Sequence, residues 1–372
     1  MKNLIPRLNI HYTLHDTYIA IKSIFVLSPK TENSLFYLNH ARTGLRMALT
    51  SLNLPQGSKV GVMVYNCYSV MNAVKLAGLE IEFIDVTDDL CIDIHDFENK
   101  KDKLSALIVT HLFGIPNDIE QLKSLSPNIP IIEDCSHSFL TENGDELTGT
   151  AGDMAVFSMG LGKFPSIGPG GYLKVNNDRY LGLINESYSN LSTPSFLNEI
   201  NNIGLSFLLS VLHKPVIYNY FTKPVLKEKN KRKDDAVRYK HSETKILKSC
   251  LGLFISKSTQ YSVYLKIQQK NARQIYEVLK SNNPTIKISK KYNLNKINCF
   301  MFPLLTENRQ LFIDKMEMNG IELGTHFSKS VEWAKKFGYK DGYCINVEKI
   351  ANQLVVCPCH YNLSENEIAQ IK

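Results

Sequence analysis

Two charged groups follow runs of residues that the sequence predicts to be buried strands. Glu133 and Asp134 come directly after the apolar run 129–132, and Lys163 closes the segment 157–163 behind another short strand. Open α/β sheets bind ligands at the carboxyl ends of their strands. Taken alone, the acidic pair fits a helix cap or a salt bridge, and the lysine fits a surface position. The functional alternative for Asp134 is an anion that pairs with a protonated ring nitrogen.

Glycines flank the lysine on both sides. A Gly-Lys pair stands at 162–163, but Phe157 occupies the position where a P-loop needs glycine, and Phe164 the position where it needs serine or threonine. A second glycine cluster follows at 168–171. Because glycine lets a backbone approach a ligand closely, these clusters predict a ligand site of another kind.

Arg42 and Thr43 stand at the start of a predicted helix. The N–H groups of a helix N-terminus bind phosphate, and the two side chains would add donors. The alternative is that Thr43 only caps the helix. His111 follows the strand at 107–110. We expect it to be structural, because a lone histidine is more often structural than catalytic.

The order of these groups along the chain is informative. A phosphate cradle comes first, then Asp134, and Lys163 follows 29 residues later (163 − 134). Pyridoxal phosphate (PLP) needs a cradle for its phosphate, a carboxylate for its pyridinium nitrogen and a lysine for its aldehyde. The sequence therefore predicts PLP as the cofactor and Lys163 as the catalytic residue.

Short apolar strands alternate with helices between residues 35 and 180. This alternation predicts an α/β fold, with a parallel or mixed sheet covered by helices on both faces. The alternation is lost over 185–250. A long helix is predicted from residue 260, and the pattern of the remaining residues up to 372 is typical of an α+β unit. We predict a large domain at 1–250 and a small one at 251–372.

The chain of 372 residues is 44% hydrophobic and carries a net charge of +7. This charge suits an anionic ligand, a nucleic acid or an acidic membrane without selecting among them. The 8 cysteines are spread through apolar runs, and we find neither a signal peptide nor a transmembrane run. We therefore expect a cytoplasmic protein with reduced thiols. The cluster 357–360 lacks the second ligand pair of a zinc site, so we expect no metal.

The apolar stretch 205–220 precedes a basic run at 223–233. Together they could lie on an anionic membrane surface. We favour the alternative, a packed helix followed by a solvated loop, because basic runs are usually solvated. No nucleic-acid-binding motif accompanies the basic run, so we expect no nucleic-acid partner.

Several motifs resemble those of the DegT/DnrJ/EryC1/StrS family of PLP-dependent sugar aminotransferases. They are Ala41-Arg42-Thr43-Gly44-Leu45, His111-Leu112-Phe113-Gly114, Glu133-Asp134-Cys135-Ser136-His137, the segment 152–158 with Lys163 and Gly170-Gly171, and Val356-Cys357-Pro358-Cys359-His360. The matching motifs are frequent over 40–175 and sparse in the rest of the chain. It implies fold type I, with a mixed, mostly parallel seven-stranded sheet and a smaller α+β C-terminal domain. It also implies a homodimer with active sites at the interface.

The resemblance assigns roles to the site residues. Lys163 would bind the cofactor aldehyde covalently, Asp134 would hold the pyridinium proton, and His137 would lie beside the phenolic oxygen of the ring. The phosphate would be bound by Ser158, Arg42 and Thr43.

Three departures from the family pattern concern the substrate. Cys67 stands at a cofactor-binding position where many members stack an aromatic ring, so we expect Tyr65 or Tyr68 to stack instead. Pro169 replaces an acidic or polar residue, and the segment 185–250 has diverged, so the residue expected from a partner subunit cannot be placed.

The resemblance implies an aminotransferase that moves an amino group from glutamate to a nucleotide-linked keto sugar, for surface polysaccharide or other amino-sugar biosynthesis. Two alternatives stay open. One is a PLP-dependent sugar dehydratase, against which Lys163 argues because those relatives have histidine there. The other is a PLP-fold protein that only binds or regulates.

Overall fold

A seven-stranded sheet forms the centre of the chain. The computed structural model describes residues 4–8, 10–27, 34–224, 243–282 and 286–371. The strands of this sheet are β1 (Leu35–Leu38), β2 (Lys59–Met63), β3 (Glu80–Ile84), β4 (Ala106–Thr110), β5 (Ile131–Asp134), β8 (Met154–Ser158) and β9 (Gly171–Val175). Between β5 and β8 lies a small hairpin of β6 (Glu142–Asn143) and β7 (Glu146–Leu147).

The sheet is mixed and mostly parallel, as predicted. Its spatial order is β1-β9-β8-β5-β4-β2-β3. The pairs among β3, β2, β4, β5 and β8 are parallel, whereas β9 runs antiparallel to β8 and β1. The parallel strands therefore end at one common edge, which is where the polar residues were expected.

Two hydrophobic cores lie on the two faces of the sheet. In β4, Ala106 and Ile108 belong to one core, and Leu107 and Val109 belong to the other. Successive side chains of a strand point to opposite faces. All five residues of β4 are buried because helices cover both faces.

Fourteen helices surround the sheets within the described residues. They are α1 (Leu14–Val26), α2 (Ala41–Ser51), α3 (Tyr68–Leu76), α4 (Ile94–Lys100), α5 (Ile119–Leu125), α6 (Leu181–Ser189), α7 (Phe196–Leu212), α8 (Pro215–Ile217), α9 (Lys248–Ser256), α10 (Tyr261–Asn282), α11 (Arg309–Met318), α12 (Ser330–Lys335), α13 (Ile345–Gln353) and α14 (Glu365–Ile368). A π-helical turn, Tyr218–Thr222, continues α8.

The C-terminal part of the chain contains a second, two-stranded sheet. Strands β10 (Met301–Leu305) and β11 (Leu354–Pro358) pair antiparallel, and their buried residues join the core on one face of the large sheet. Ser364 and Glu367 form a capping box at the start of α14. The domain boundary at residue 250 stays a prediction.

Three local features were not predicted from the sequence. Helix α1 was not predicted, although Thr13 and Asp16 form a capping box at its start. His40, not Thr43, is the N-cap of α2, so Thr43 lies inside the first turn. The apolar stretch at 205–220 does form helix, but Leu205, Phe207, Leu208, Val216 and Tyr220 are exposed. The basic run from residue 225 to 233 lies outside the described residues.

Gly171 brings the start of α2 against the sheet. A Cβ atom at Gly171 would lie 2.5 Å from the carbonyl oxygen of Phe157 and 2.6 Å from the backbone nitrogen of Ala41. Both contacts are with backbone, so neither neighbour can rotate away. Only glycine therefore allows β9 to hold the N-terminus of α2 this closely.

We predict that Gly171→Ala lowers the free energy of unfolding by about 1–3 kcal/mol through overpacking. The control is Gly204→Ala in α7, where a Cβ atom meets nothing within 4 Å. We expect that change to stabilise the helix by up to about 1 kcal/mol. Urea unfolding of the two variants measures both effects. Equal stability of the two variants would contradict the close approach at Gly171.

Candidate active site

A cavity of about 170 Å³ lies where β4, β5 and β8 end and where α2 and α3 begin. The residues that line it are His40, Ala41, Arg42, Leu45, Asn66, Cys67, Ser69, Val70, Thr110, Asp134, Ser136, His137, Val156, Ser158, Lys163 and Phe327. The cavity therefore combines a carboxylate, an amine, an imidazole, a guanidinium and several hydroxyl groups.

Six of the seven residues selected from the sequence line this cavity: Arg42, Cys67, Asp134, His137, Ser158 and Lys163. The seventh, Thr43, is buried, and its hydroxyl group donates a hydrogen bond to Asn39 Oδ1 at 2.8 Å. Its side chain thus fixes the first turn of α2. Its contact with phosphate stays a prediction.

Asp134 is held by its own loop and by a short polar chain across the neighbouring strand. One carboxylate oxygen accepts the backbone N–H of Ser136 at 3.0 Å, and the other accepts the Thr110 hydroxyl at 3.4 Å. The Asn66 amide donates in turn to Thr110 Oγ1 at 2.8 Å. These contacts fix the orientation of a carboxylate that is only 5% exposed.

The contact between Lys163 and His137 sets the protonation of both groups. The backbone N–H of Phe113 donates to His137 Nδ1 at 3.1 Å, so this nitrogen carries no proton. In the neutral ring the proton then sits on Nε2, which lies 2.5 Å from Lys163 Nζ. Because Nε2–H is a donor, the lysine must accept, and only an uncharged amine has a free lone pair.

Burial also favours the uncharged form of the Lys163 amine. His137 is buried and Lys163 is half-buried, and loss of hydration lowers the pKa of Lys163 below its ordinary 10.5. The nearby Cys67 and Asp134 oppose this decrease only in part. Burial first, and then the nearness of the basic Lys163 and His326 side chains, hold the pKa of His137 well below 6.5. The hydrogen-bond geometry and the direction of the pKa shift both favour the uncharged amine, which is the nucleophilic form.

Sequence reasoning missed His326 and Phe327, which come from the C-terminal part of the chain. Phe327 stacks on the His137 ring with a centroid distance of 5.6 Å and an interplanar angle of 3°. The His326 ring lies edge-on to His137, with a centroid distance of 5.8 Å. The backbone of Phe327 has a left-handed φ of 55°, which is uncommon for an aromatic residue. Neither residue follows a predicted strand, so the rule used to find the others did not select them.

The expectation that Tyr65 or Tyr68 stacks on a cofactor was wrong. Neither lines the cavity. Tyr65 is fully buried and donates its hydroxyl to the backbone carbonyl of His326, and burial raises its pKa far above 10. Tyr68 packs against Trp333 and Phe337. Cys67 remains at the cavity as the N-cap of α3, and its sulfur accepts the Ser69 hydroxyl.

Glu133 does not line the cavity but joins the segments around it through hydrogen bonds. Its carboxylate accepts His111 Nε2–H at 2.9 Å and the backbone N–H groups of Gly149 and Gly152 at 2.8 and 2.6 Å. Asn117 N–H donates to His111 Nδ1, which leaves the proton on Nε2. His111 is therefore structural, as expected. Burial alone would raise the pKa of Glu133, but these donors outweigh it and lower the pKa below 4.5.

A metal ion does not fit these buried groups well. Within the described residues, His111, Glu133 and Cys135 lie close enough to share an ion. However, His111 offers the carboxylate a proton, and burial raises the pKa of the Cys135 thiol well above 9. At the 357–360 cluster, burial likewise raises the pKa of Cys357 to about 12. Protonated thiols are poor metal ligands.

The donor set fits PLP. Arg42, Ser158 and the first turn of α2 supply donors for a phosphate group, and Asp134 supplies the anion for a ring nitrogen. A Cβ atom at Gly160 would lie 3.4 Å from Ser158 Oγ and 4.0 Å from Lys163 Cγ. Glycine at this position thus keeps the space between the serine and the lysine open.

Comparison with known proteins agrees with this arrangement. Residues 36–199 match the sequence profile of the DegT/DnrJ/EryC1/StrS aminotransferase family. This segment belongs to that family. The resemblance inferred from the motifs is thereby confirmed, and the matched residues include β1 to β9 and every cavity residue except Phe327.

The curated relatives match over part of their length. The GDP-perosamine synthase of Escherichia coli O157:H7 is 30% identical over 171 residues, which are 42% of this chain and 46% of the relative. A UDP-4-amino-4,6-dideoxy-N-acetyl-beta-L-altrosamine transaminase of Campylobacter jejuni is 29% identical over 127 residues, 32% of this chain and 34% of the relative. The matches to both proteins thus span less than half of their length.

Solved structures resemble the whole chain. The sugar aminotransferase CalS13 of Micromonospora echinospora superposes with a TM-score of 0.75 at 15% identity, covering 99% of this chain and 98% of its own. A Streptococcus pneumoniae protein described as a sugar aminotransferase, in its PLP form, superposes with a TM-score of 0.77 at 15% identity. The match covers 99% of this chain and 96% of that protein. At this identity the likeness shows the fold, and it confirms the fold type I architecture.

We predict that Glu133→Gln destabilises the protein by about 2–4 kcal/mol at pH 7, because an amide cannot accept all three donors without placing its own N–H groups against them. The folded-state pKa of Glu133 is depressed, so its contribution is present above pH 4.5 and is lost as pH falls through the folded value. The difference between wild type and variant should therefore shrink below pH 4.5. Urea unfolding from about pH 2.5 to pH 7 measures this. A difference that does not change with pH would contradict the proposed role of the ionised carboxylate.

Proposed function

We propose that this protein is a PLP-dependent aminotransferase that moves an amino group from glutamate to a nucleotide-linked keto sugar. The observation that carries the proposal is the Lys163 amine, which accepts the Nε2–H of His137 within the same cavity as Asp134. The family of residues 36–199 supports the reaction class.

The cofactor would be held by residues that the structure places at the cavity. Arg42 and Ser158 would bind its phosphate, Asp134 would face its ring nitrogen, and Lys163 would bind its aldehyde. When bound, PLP supplies a carbonyl group that carries amines and a ring that accepts electrons. The protein supplies the fixed charges and the proton donors around it.

Lys163 has two tasks. Its amine would hold the aldehyde covalently, and the contact with His137 Nε2–H favours the uncharged form that this role requires. With the cofactor and an amino donor bound, the same amine would serve as the base that takes a proton from the donor carbon and as the acid that delivers it to the cofactor carbon. The Nε2–H of His137 orients this amine when no ligand is bound.

Asp134 keeps a negative charge at the floor of the cavity. Its bonds to Ser136 and Thr110 hold the carboxylate in place, so it need not reorganise when a positive ring nitrogen approaches. The charge favours protonation of that nitrogen, which strengthens the electron-accepting ring.

The substrate class comes from the relatives. The E. coli relative is named for a GDP-linked sugar and the C. jejuni relative for a UDP-linked sugar. A nucleotide-linked sugar carries a diphosphate, to which the net charge of +7 is complementary. We further propose glutamate as the donor, a homodimer as the working form and the cytoplasm as the location, as the resemblance implies.

Glutamate should convert the bound cofactor in the absence of any sugar. We predict that the purified protein with PLP shows a visible absorbance band that shifts on addition of glutamate, and that Lys163→Ala lowers the rate of this half-reaction by at least about 10³-fold. The control is Lys266→Ala on an exposed position of α10, which should react like wild type. Stopped-flow absorbance measures the rates.

The possible outcomes separate the competing functions. A band without a glutamate shift would favour the protein that only binds or regulates. The absence of a band would exclude both enzyme and cofactor-dependent regulator. A panel of nucleotide-linked keto sugars then identifies the acceptor by recovery of the original band.

A further inference from the structure

Helix α7 exposes its apolar side and buries its polar side. Its buried residues are Glu199, Ile203, Ser206 and Ser210. The exposed side chains are large and apolar: Phe196, Leu197, Ile200, Leu205, Phe207 and Leu208. A surface helix of a globular protein normally has the opposite arrangement. Something apolar must therefore cover this side in the working protein.

Helix α1 continues the same surface. It buries Asp16, Ala20, Ser23 and Ile24 and exposes Leu14, Tyr18, Ile21, Phe25 and Val26. The Phe25 ring lies 6.3 Å from the Phe196 ring of α7, so the two exposed faces are contiguous. We call the exposed apolar side chains of α1 and α7 the outer face. Contiguous apolar surface of this kind marks an interaction site.

Hydrogen bonds fix α7 to the body of the protein. The Glu199 carboxylate accepts the backbone N–H groups of Lys248 and Ser249 at 2.7 and 3.1 Å and the Ser249 hydroxyl at 2.5 Å, all at the start of α9. The buried Glu199 carboxylate, which accepts three hydrogen bonds, thus holds the helix with its apolar side outwards. Exposure of the outer face is a property of the folded state.

The exposed lysines of segments 10–27 and 196–224 have no exposed carboxylate within those segments. Asp16 and Glu199 are the only acidic residues in 10–27 and 196–224, and both are buried. Asp16 is paired with Lys257 at 2.8 Å. The exposed ionised side chains of these two segments include Lys22 and Lys214, which carry positive charge. The outer face therefore combines apolar and aromatic side chains with exposed cations.

We propose that the outer face docks on an anionic lipid bilayer. No single described helix is long and apolar enough to cross a membrane, but α7 and the segment Pro215–Thr222 pass that test together, with a bend of 76° between them. Because Glu199 holds α7 against α9, the pair lies along the membrane surface. Apolar and aromatic side chains enter the interface, and lysines contact acidic head groups.

A second copy of the chain fits the outer face less well. An isologous contact presents the same surface to itself. Lys22 and Lys214 would then meet no exposed carboxylate, because the described segments 10–27 and 196–224 offer none. Acidic lipid head groups supply the missing negative charge. In the sequence, the basic run 223–233 follows directly, which adds cations of the same sign.

Vesicle sedimentation of the full-length protein tests this proposal. We expect binding to vesicles of phosphatidylcholine with phosphatidylglycerol, weaker binding to phosphatidylcholine alone, and a decrease with added salt. The double variant Phe25→Ser, Leu197→Ser removes two side chains that are 73% and 72% exposed. We expect it to weaken the partition coefficient by at least about tenfold.

The matched control is the double variant Leu311→Ser, Met318→Ser on α11, where the side chains are 69% and 75% exposed. It should bind vesicles like wild type. Thermal unfolding verifies that both variants fold, and light scattering gives the mass of each. Wild-type protein that stays in the supernatant, or equal losses in both variants, would overturn the proposal. So would a lower mass for the outer-face variant alone, which would assign the face to a second copy.

Discussion

The single proton on His137 is the constraint on which the site depends. Phe113 N–H occupies Nδ1, so the proton must lie on Nε2, facing Lys163. A lysine amine that faces a fixed donor and has lost part of its hydration is favoured in its uncharged form. Phe327 stacks on the His137 ring, and His326 lies edge-on to it. Together these two side chains shield the imidazole from water.

The rest of the fold positions these two side chains. His137 follows β5, and Lys163 follows β8, which pairs parallel with β5. The register of the sheet therefore fixes the distance between their loops. Glu133, at the centre of β5, joins His111 to the glycines before β8 and keeps the strand ends together. The same edge receives the start of α2, brought close by Gly171.

The sequence predicted the part of the site that depends on local order. Asp134 and Ser158 end buried strands, and strands with near-continuous apolar runs are recognisable without tertiary information. His326 and Phe327 reach the cavity only because the C-terminal part folds back on the sheet. Their position depends on long-range packing and on a left-handed backbone at Phe327, for which short motifs carry no signal.

Helix α7 shows a second limit of sequence reasoning. Its apolar composition predicted a helix, and the polar residues at 199, 206 and 210 recur at helical spacing. That stripe would ordinarily face water. In the fold it faces α9, where donors from Lys248 and Ser249 satisfy Glu199. Which side of an amphipathic helix lies inside is thus decided by partners that are distant in the sequence.

The most direct measurement is the identity of the residue that carries the cofactor. Purified protein is incubated with PLP at neutral pH, reduced with borohydride, digested and mapped by mass spectrometry. Our account predicts a pyridoxyl group on the peptide that contains Lys163 and on no other lysine at comparable yield. Labelling spread over surface lysines, or a Lys163 peptide without added mass, would contradict it.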